Sequence, residues 1–253
     1  MGWLAAVVHW IEQAFPMKKL AIGVYVLITL ALMVWGYYQA IYVAPLDEKQ
    51  GEIYRIFFYH VPIAMVSSVF FAVSLAGSIG YLAYRYSRPE RAQIFDAWAL
   101  AGAEVAVVYC TIILVTGPIW GRRAWGMWWT WDARLTTTLV LWLIYMSYLL
   151  LRRFAAGPQM QTVAAVLNIF GALDTPIVYF STHFQKVIPT QHPAPVFGGG
   201  PDSGVKDPRM LAAWGWNILA WLAWGLLILA LRYHVERKQQ KIAAAEAQRA
   251  LEA

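Results

Sequence analysis

The chain has 253 residues, 60% of them hydrophobic and only 13% charged, with a mean hydropathy of +0.50. Soluble globular chains carry about 25% charged residues, which excludes an ordinary soluble domain. The formal net charge of +6 sits on residues that flank apolar blocks, so membrane topology, not nucleic acid, accounts for it.

Trp3 to Ile11 is too short and mixed for the apolar region of a cleaved signal, and Met1 to Phe15 reads as a short interfacial helix with Trp3 and Trp10 near headgroup level. Six blocks then follow, at about 20–43, 61–84, 94–117, 135–153, 160–181 and 210–231. A transmembrane helix needs about 20 mostly apolar residues, and each block meets that need. The fold class is therefore an all-α polytopic membrane protein with six transmembrane helices, forming a single membrane domain over 1–253. Pro62 reads as part of the first turn of the second helix, where its missing N–H costs nothing. The lone Cys110 excludes an internal disulfide or a CxxC redox pair and reads as a small buried residue. Glu104 and Asp174 fall inside spans, where charges are costly. The plainer reading of each is a protonated acid hydrogen-bonded between helices; the sharper one is a proton or substrate path. Asp174-Thr175-Pro176 breaks the fifth helix near its middle, because Pro176 lacks a backbone donor. The tail 232–253 is charged and Ala-rich, a solvated helix.

Six crossings put both termini on one side. That side receives Arg85, Arg88, Arg91, Arg152 and Arg153 in short loops tight against helix ends, together with Lys18, Lys19 and the basic tail. The positive-inside rule makes it cytoplasmic. The connections near 45–60, 118–134 and 182–209 are then extracytoplasmic. They are longer and chemically richer, so function is expected there. Pro189, Pro193, Pro195, Pro201 and a run of Gly make the last of these a loop.

The region 118–136 is expected to be an external loop between helices three and four. It holds Trp120, Trp125, Trp128, Trp129 and Trp131, then Asp132, Arg134 and Thr136. An even spread of fourteen Trp over the chain puts fewer than one in any twelve-residue window; this one has five. An interfacial aromatic belt would distribute its indoles among several helix ends. A cluster in one loop, interleaved with Gly121 and Gly126, suits stacking against a large flat apolar ligand. Arg122, Arg123 and Arg134 offer bidentate partners for carboxylates on its rim, with Asp132 as a local partner for Arg134. A porphyrin, an apolar disc with two propionates, has this chemistry.

This segment resembles the tryptophan-rich WWD signature of the heme-handling proteins of cytochrome c biogenesis, the family that includes CcmC, CcmF and CcsA. The match covers W-G-x(3)-W-G-x-W-W-x-W-D-x-R-L-T. Heme iron takes histidine ligands by default, and of five histidines only His60, His183 and His192 are external by topology. The resemblance implies one external His on either side of the Trp loop. His60 fits the first place. His192, near Gln191 and between prolines, fits the second, with His183 as the alternative.

Length and six spans are similar to CcmC over nearly the whole chain. That resemblance implies non-covalent heme b, held on the outer face of a bacterial or archaeal cytoplasmic (inner) membrane. It also implies delivery to the heme chaperone CcmE, with the ABC transporter subunits CcmA and CcmB and the small protein CcmD as partners. The chain is then a delivery component and not an enzyme. The alternative is a cytochrome c synthase subunit of the CcsA type, which joins heme to apocytochrome. No span interior carries a His pair, which argues against an electron-transfer heme protein.

Overall fold

The computed structural model describes residues 16–155, 159–181, 192 and 205–252. The interfacial helix expected over 1–15, His183 and most of the 182–209 connection lie outside these residues. The described chain is helical, with six helical segments long and apolar enough to cross a membrane. Apolar surroundings leave each N–H and C=O only internal partners, so long apolar runs become helices.

Helix α1 (Pro16–Tyr38) ends in a wider π-helical turn at Gln39–Val43. A 3-10 turn at Glu52–Ile56 leads into α2 (Phe57–Tyr84). Then come α3 (Pro89–Trp125), α4 (Ala133–Phe154), α5 (Met160–Ala172), α6 (Asp174–Phe180) and α7 (Pro208–Glu252). Helix α2 starts one turn before the expected 61. Pro62 therefore lies inside the helix, and the carbonyl of Phe58 loses its usual donor. Helix α3 continues past the expected end at 117, through Pro118, until Gly126 adopts φ +79°. Only glycine enters that region freely, and it stops the helix there. The span-five break falls at Leu173, just before Asp174-Thr175-Pro176, as the sequence indicates. Helix α7 runs unbroken for 45 residues, and its last turns, from Lys241 on, are exposed.

Helices α2 and α3 share the most extensive contact in the bundle. Small residues make it possible. A Cβ on Gly77 would lie 2.5 Å from the backbone N of Ala99, and one on Gly102 2.8 Å from that of Ser74. In a membrane such close approach, with polar bonds across it, supplies what the hydrophobic effect cannot. Ser74 donates to the carbonyl of Ala99 at 2.7 Å, and Asn168 of α5 donates to Ser74 and Ser78. On the other flank, Asn217 of α7 donates to the carbonyl of Gly36 of α1. Cys110 is buried, as expected.

The end of the bundle that carries the helix connections near residues 85–88 and 155–159 holds a charged network. Asp96 of α3 takes two hydrogen bonds from Arg152 of α4, at 2.5 and 2.9 Å, and one each from Gln161 and Gln240. Glu236 lies 3.6 Å from Arg152. Glu104 accepts two hydrogen bonds from Arg232, one of them 2.7 Å long. This corrects the reading of Glu104 as a neutral protonated acid: it is half of an ion pair, and its partner comes from the stretch read as solvated tail. For Asp174, Oδ2 is buried with no hydrogen-bond partner among the described residues.

Candidate functional site

The opposite end of the bundle is built around His60, in the first turn of α2 and almost fully buried. Its Nδ1 lies 2.8 Å from Thr116 Oγ1 on α3. The Thr116 hydroxyl in turn donates to the carbonyl of Ile112, 2.7 Å away. Gly117 faces the same imidazole: a Cβ there would come within 3.4 Å of Cε1. Trp120 meets the ring edge-on with centroids 5.7 Å apart, and the His192 ring lies 6.5 Å away at 36°.

Trp120 is buried, and its indole N–H donates to Gln50 Oε1 at 2.7 Å. Gln50 is held by the turn before α2, where Asp47 Oδ1 accepts from the backbone N–H of both Lys49 and Gln50. Gly51, with φ +57°, closes that turn. Tyr54 and Phe57 pack edge-on to Trp120, and Trp125 stacks on it with centroids 6.0 Å apart. The first part of the expected loop is thus helix, and the true turn covers only 126–132. It folds back because Gly121 admits the carbonyl of Met127, which would lie 3.1 Å from a Cβ.

Within the turn, Trp129 packs edge-on to Trp131. Trp128 and Trp131 are exposed, at 61% and 76%. Trp129 is the reverse: its indole nitrogen is buried with no hydrogen-bond partner among the described residues. Asp132 caps α4, accepting from the backbone N–H of Leu135 at 2.9 Å and from Thr130. Arg134 donates to the carbonyl of Val178, joining α4 to α6. Arg122 donates to the carbonyl of Gly126 at the surface, and Arg123 is exposed.

Many of these residues surround a cavity of about 510 Å³ among α2, α3, α4 and α6, within the ~300–1,000 Å³ usual for ligand sites. It descends from the indole tier to Phe71, Cys110 and Leu141. Of the residues singled out from sequence, His60, His192, Trp120, Trp125, Trp128, Trp129 and Arg134 line it together. Trp131, Asp132, Arg122 and Arg123 do not. Sequence reasoning missed Thr116, Gln50 and Lys49. Nothing local marks Thr116 or Gln50, since their partners lie 56 and 70 residues away. Lys49 was visible as a cation in an external connection, but nothing tied it to the cavity it lines.

A sequence profile of the family described as heme exporter protein C (CcmC) matches residues 9–251. The chain is 34% identical over 218 residues to a heme exporter protein C of Bradyrhizobium diazoefficiens, covering 83% of this chain and 80% of that one. It is 31% identical over 220 residues to that of Escherichia coli K12, covering 84% and 80%. It is also 31% identical over 183 residues to a putative cytochrome c biosynthesis ccmC-like mitochondrial protein of Arabidopsis thaliana, covering 72% and 67%. With a profile match over nearly its whole length, this chain belongs to the heme exporter protein C family.

Proposed function

We propose that this chain holds heme as cargo in the cavity at the extracytoplasmic membrane face and passes it to the heme chaperone CcmE during cytochrome c maturation. CcmA, CcmB and CcmD work beside it. Both termini are cytoplasmic in this reading, by the bias of Arg in the short loops. His60 and His192 are the axial ligands of a non-covalently held heme b. The observation that carries the reading is their spacing. Two imidazoles on opposite sides of one metal ion, each bound at ~2 Å, keep their ring centroids about 6.4 Å apart; those of His60 and His192 are 6.5 Å apart.

The surroundings suit the rest of the cargo. Trp120, Trp125 and Trp128 supply apolar faces beside the histidines. The buried Trp129 N–H has no acceptor among the described residues, and a propionate would be one. Arg134 and Lys49 border the same cavity with positive charge, which suits a dianionic rim. Arg122 and Arg123 are not part of this cradle. Asp132 contributes by capping α4 and so fixing where Arg134 begins its helix. Trp131 adds exposed indole next to Trp129 and is placed to meet an incoming partner protein.

The test is the visible spectrum of protein purified from heme-replete cells. Wild type should show low-spin bands, which His60→Ala and His192→Ala each abolish while His183→Ala keeps them. Wild-type bands in His60→Ala would overturn the reading. Co-purification of CcmE, and not of an apocytochrome, distinguishes delivery from direct heme attachment by a synthase.

A further inference from the structure

The two hydrogen-bond contacts at Thr116 are both satisfied by one placement of the protons. A threonine hydroxyl has one hydrogen, and at 2.7 Å from the carbonyl of Ile112 it has an acceptor that can offer nothing in return. The oxygen of Thr116 is then left to accept, and the only polar hydrogen 2.8 Å away on the imidazole is that of His60 Nδ1. Neutral imidazole carries one proton, so protonated Nδ1 means a lone pair on Nε2. We propose that Thr116 is a positioning residue for heme binding: it locks His60 in the Nδ1–H tautomer and turns Nε2 into a ready ligand.

The proposal rests on the reading of His60 as an axial ligand but is separable from it, because the tautomer exists without heme. Three features make the lock firm. His60 is buried, so water does not compete for Nδ1. Thr116 is itself tied to the backbone of α3, so the acceptor cannot rotate away without giving up its own bond. The ring lies against α3 at the next residue, Gly117, where a Cβ would make ordinary contact with Cε1 at 3.4 Å. A ligand oriented this way gains basicity and binds the metal without first reorganising. Loss of such an outer partner typically weakens metal binding about 10–100-fold.

Two variants test it. Thr116→Val keeps shape and removes the hydroxyl; Thr116→Ser keeps the hydroxyl. In heme-free protein labelled with ¹⁵N-histidine, the His60 nitrogens should report Nδ1–H in wild type and Thr116→Ser, and a mixture of tautomers in Thr116→Val. In heme titrations Thr116→Val should bind at least about 10-fold more weakly, its midpoint potential should rise, and Thr116→Ser should restore both. An unchanged tautomer and affinity in Thr116→Val overturn the proposal. So does a loss of affinity that Thr116→Ser fails to rescue, which marks a merely structural role. If instead the tautomer shifts as expected while His60→Ala keeps wild-type bands, the lock stands and the assignment of His60 as ligand fails.

Discussion

Breaking the Asp96–Arg152 pair should destabilise the bundle more than any single surface change, and the structure sets the scale. The two side chains are 4% and 7% exposed and joined by two hydrogen bonds of 2.5 and 2.9 Å. Gln161 and Gln240 fill further positions on the carboxylate. Removing one partner of a buried pair leaves the other charge uncompensated, which costs about 3–5 kcal/mol. In Asp96→Asn the guanidinium keeps, as its charged partner among the described residues, Glu236 at 3.6 Å. In Arg152→Met the carboxylate keeps only two glutamines. At about 2–4 °C per kcal/mol for a chain of this size, each single variant should melt roughly 6–20 °C below wild type in detergent. The double variant removes both charges of the pair and leaves a neutral amide at position 96 beside two glutamines that can bond it, so it should lose less than the two single variants added together. Thermal unfolding of all four proteins closes the cycle, with an expected coupling of about 0.5–3 kcal/mol. A double variant whose loss equals the sum of the singles would refute the reasoning, because the pair would then not act as a unit.

Other outcomes follow from the same geometry. Gln50→Leu strands the buried indole N–H of Trp120 and should cost about 1–3 kcal/mol of stability; adding Trp120→Phe should return part of it, as read by thermal unfolding. Trp129→Phe and Arg134→Ala should each weaken heme binding about 10-fold or more, since hydrogen bonds to charged groups are worth ~1.5–3 kcal/mol. Arg122→Ala and Arg123→Ala should titrate like wild type, because neither side chain reaches the cavity. Gly102→Ala forces a Cβ to 2.8 Å from the backbone of Ser74 and should lower stability by about 1–3 kcal/mol. Gly23→Ala, with nothing within 4 Å of its Cβ, should be neutral or slightly stabilising in the same melt.

The spans, the break before Asp174-Thr175-Pro176 and the helical tail were readable because their causes are local. An apolar run that must satisfy its own backbone becomes a helix wherever it lies, and Pro176 interrupts it wherever it falls. Prolines misled where the helix absorbs them. Pro118 sits inside α3 and Pro62 inside α2; within a bundle, neighbouring helices and local adjustments tolerate the lost bond. The signal that ends α3 is Gly126, in plain sight among the indoles, where its role as a stop was hidden by its role as a spacer. Glu104 shows the other kind of limit. Its partner Arg232 is 128 residues away, and no periodicity within either helix announces that α3 and α7 lie side by side. His60 with Thr116 and Trp120 with Gln50 are the same case. The residue types that do chemistry stood out, while those that aim them did not.

That division has a consequence for how the proposed heme cargo would be kept and released. His60 and Trp120 stand on α2 and α3, the pair fastened by backbone contact at Gly77 and Gly102 and by hydrogen bonds through Thr116 and Gln50. His192 and Trp128 come from connections, and Trp128 is largely exposed. A cargo gripped between such halves, as proposed above, would have one ligand fixed by the core of the bundle and one carried outside it. Both halves would then contribute to affinity: the fixed half through pre-organisation, which removes the ordering cost of binding, and the outer half through the rate of release. Loosening the α2–α3 seam through Gly102→Ala should therefore lower heme affinity although no residue of the cavity is altered. Trp128→Ala should chiefly raise the rate at which heme leaves. If stopped-flow transfer to an apo-acceptor showed the reverse assignment, the division of labour between the two halves would be wrong.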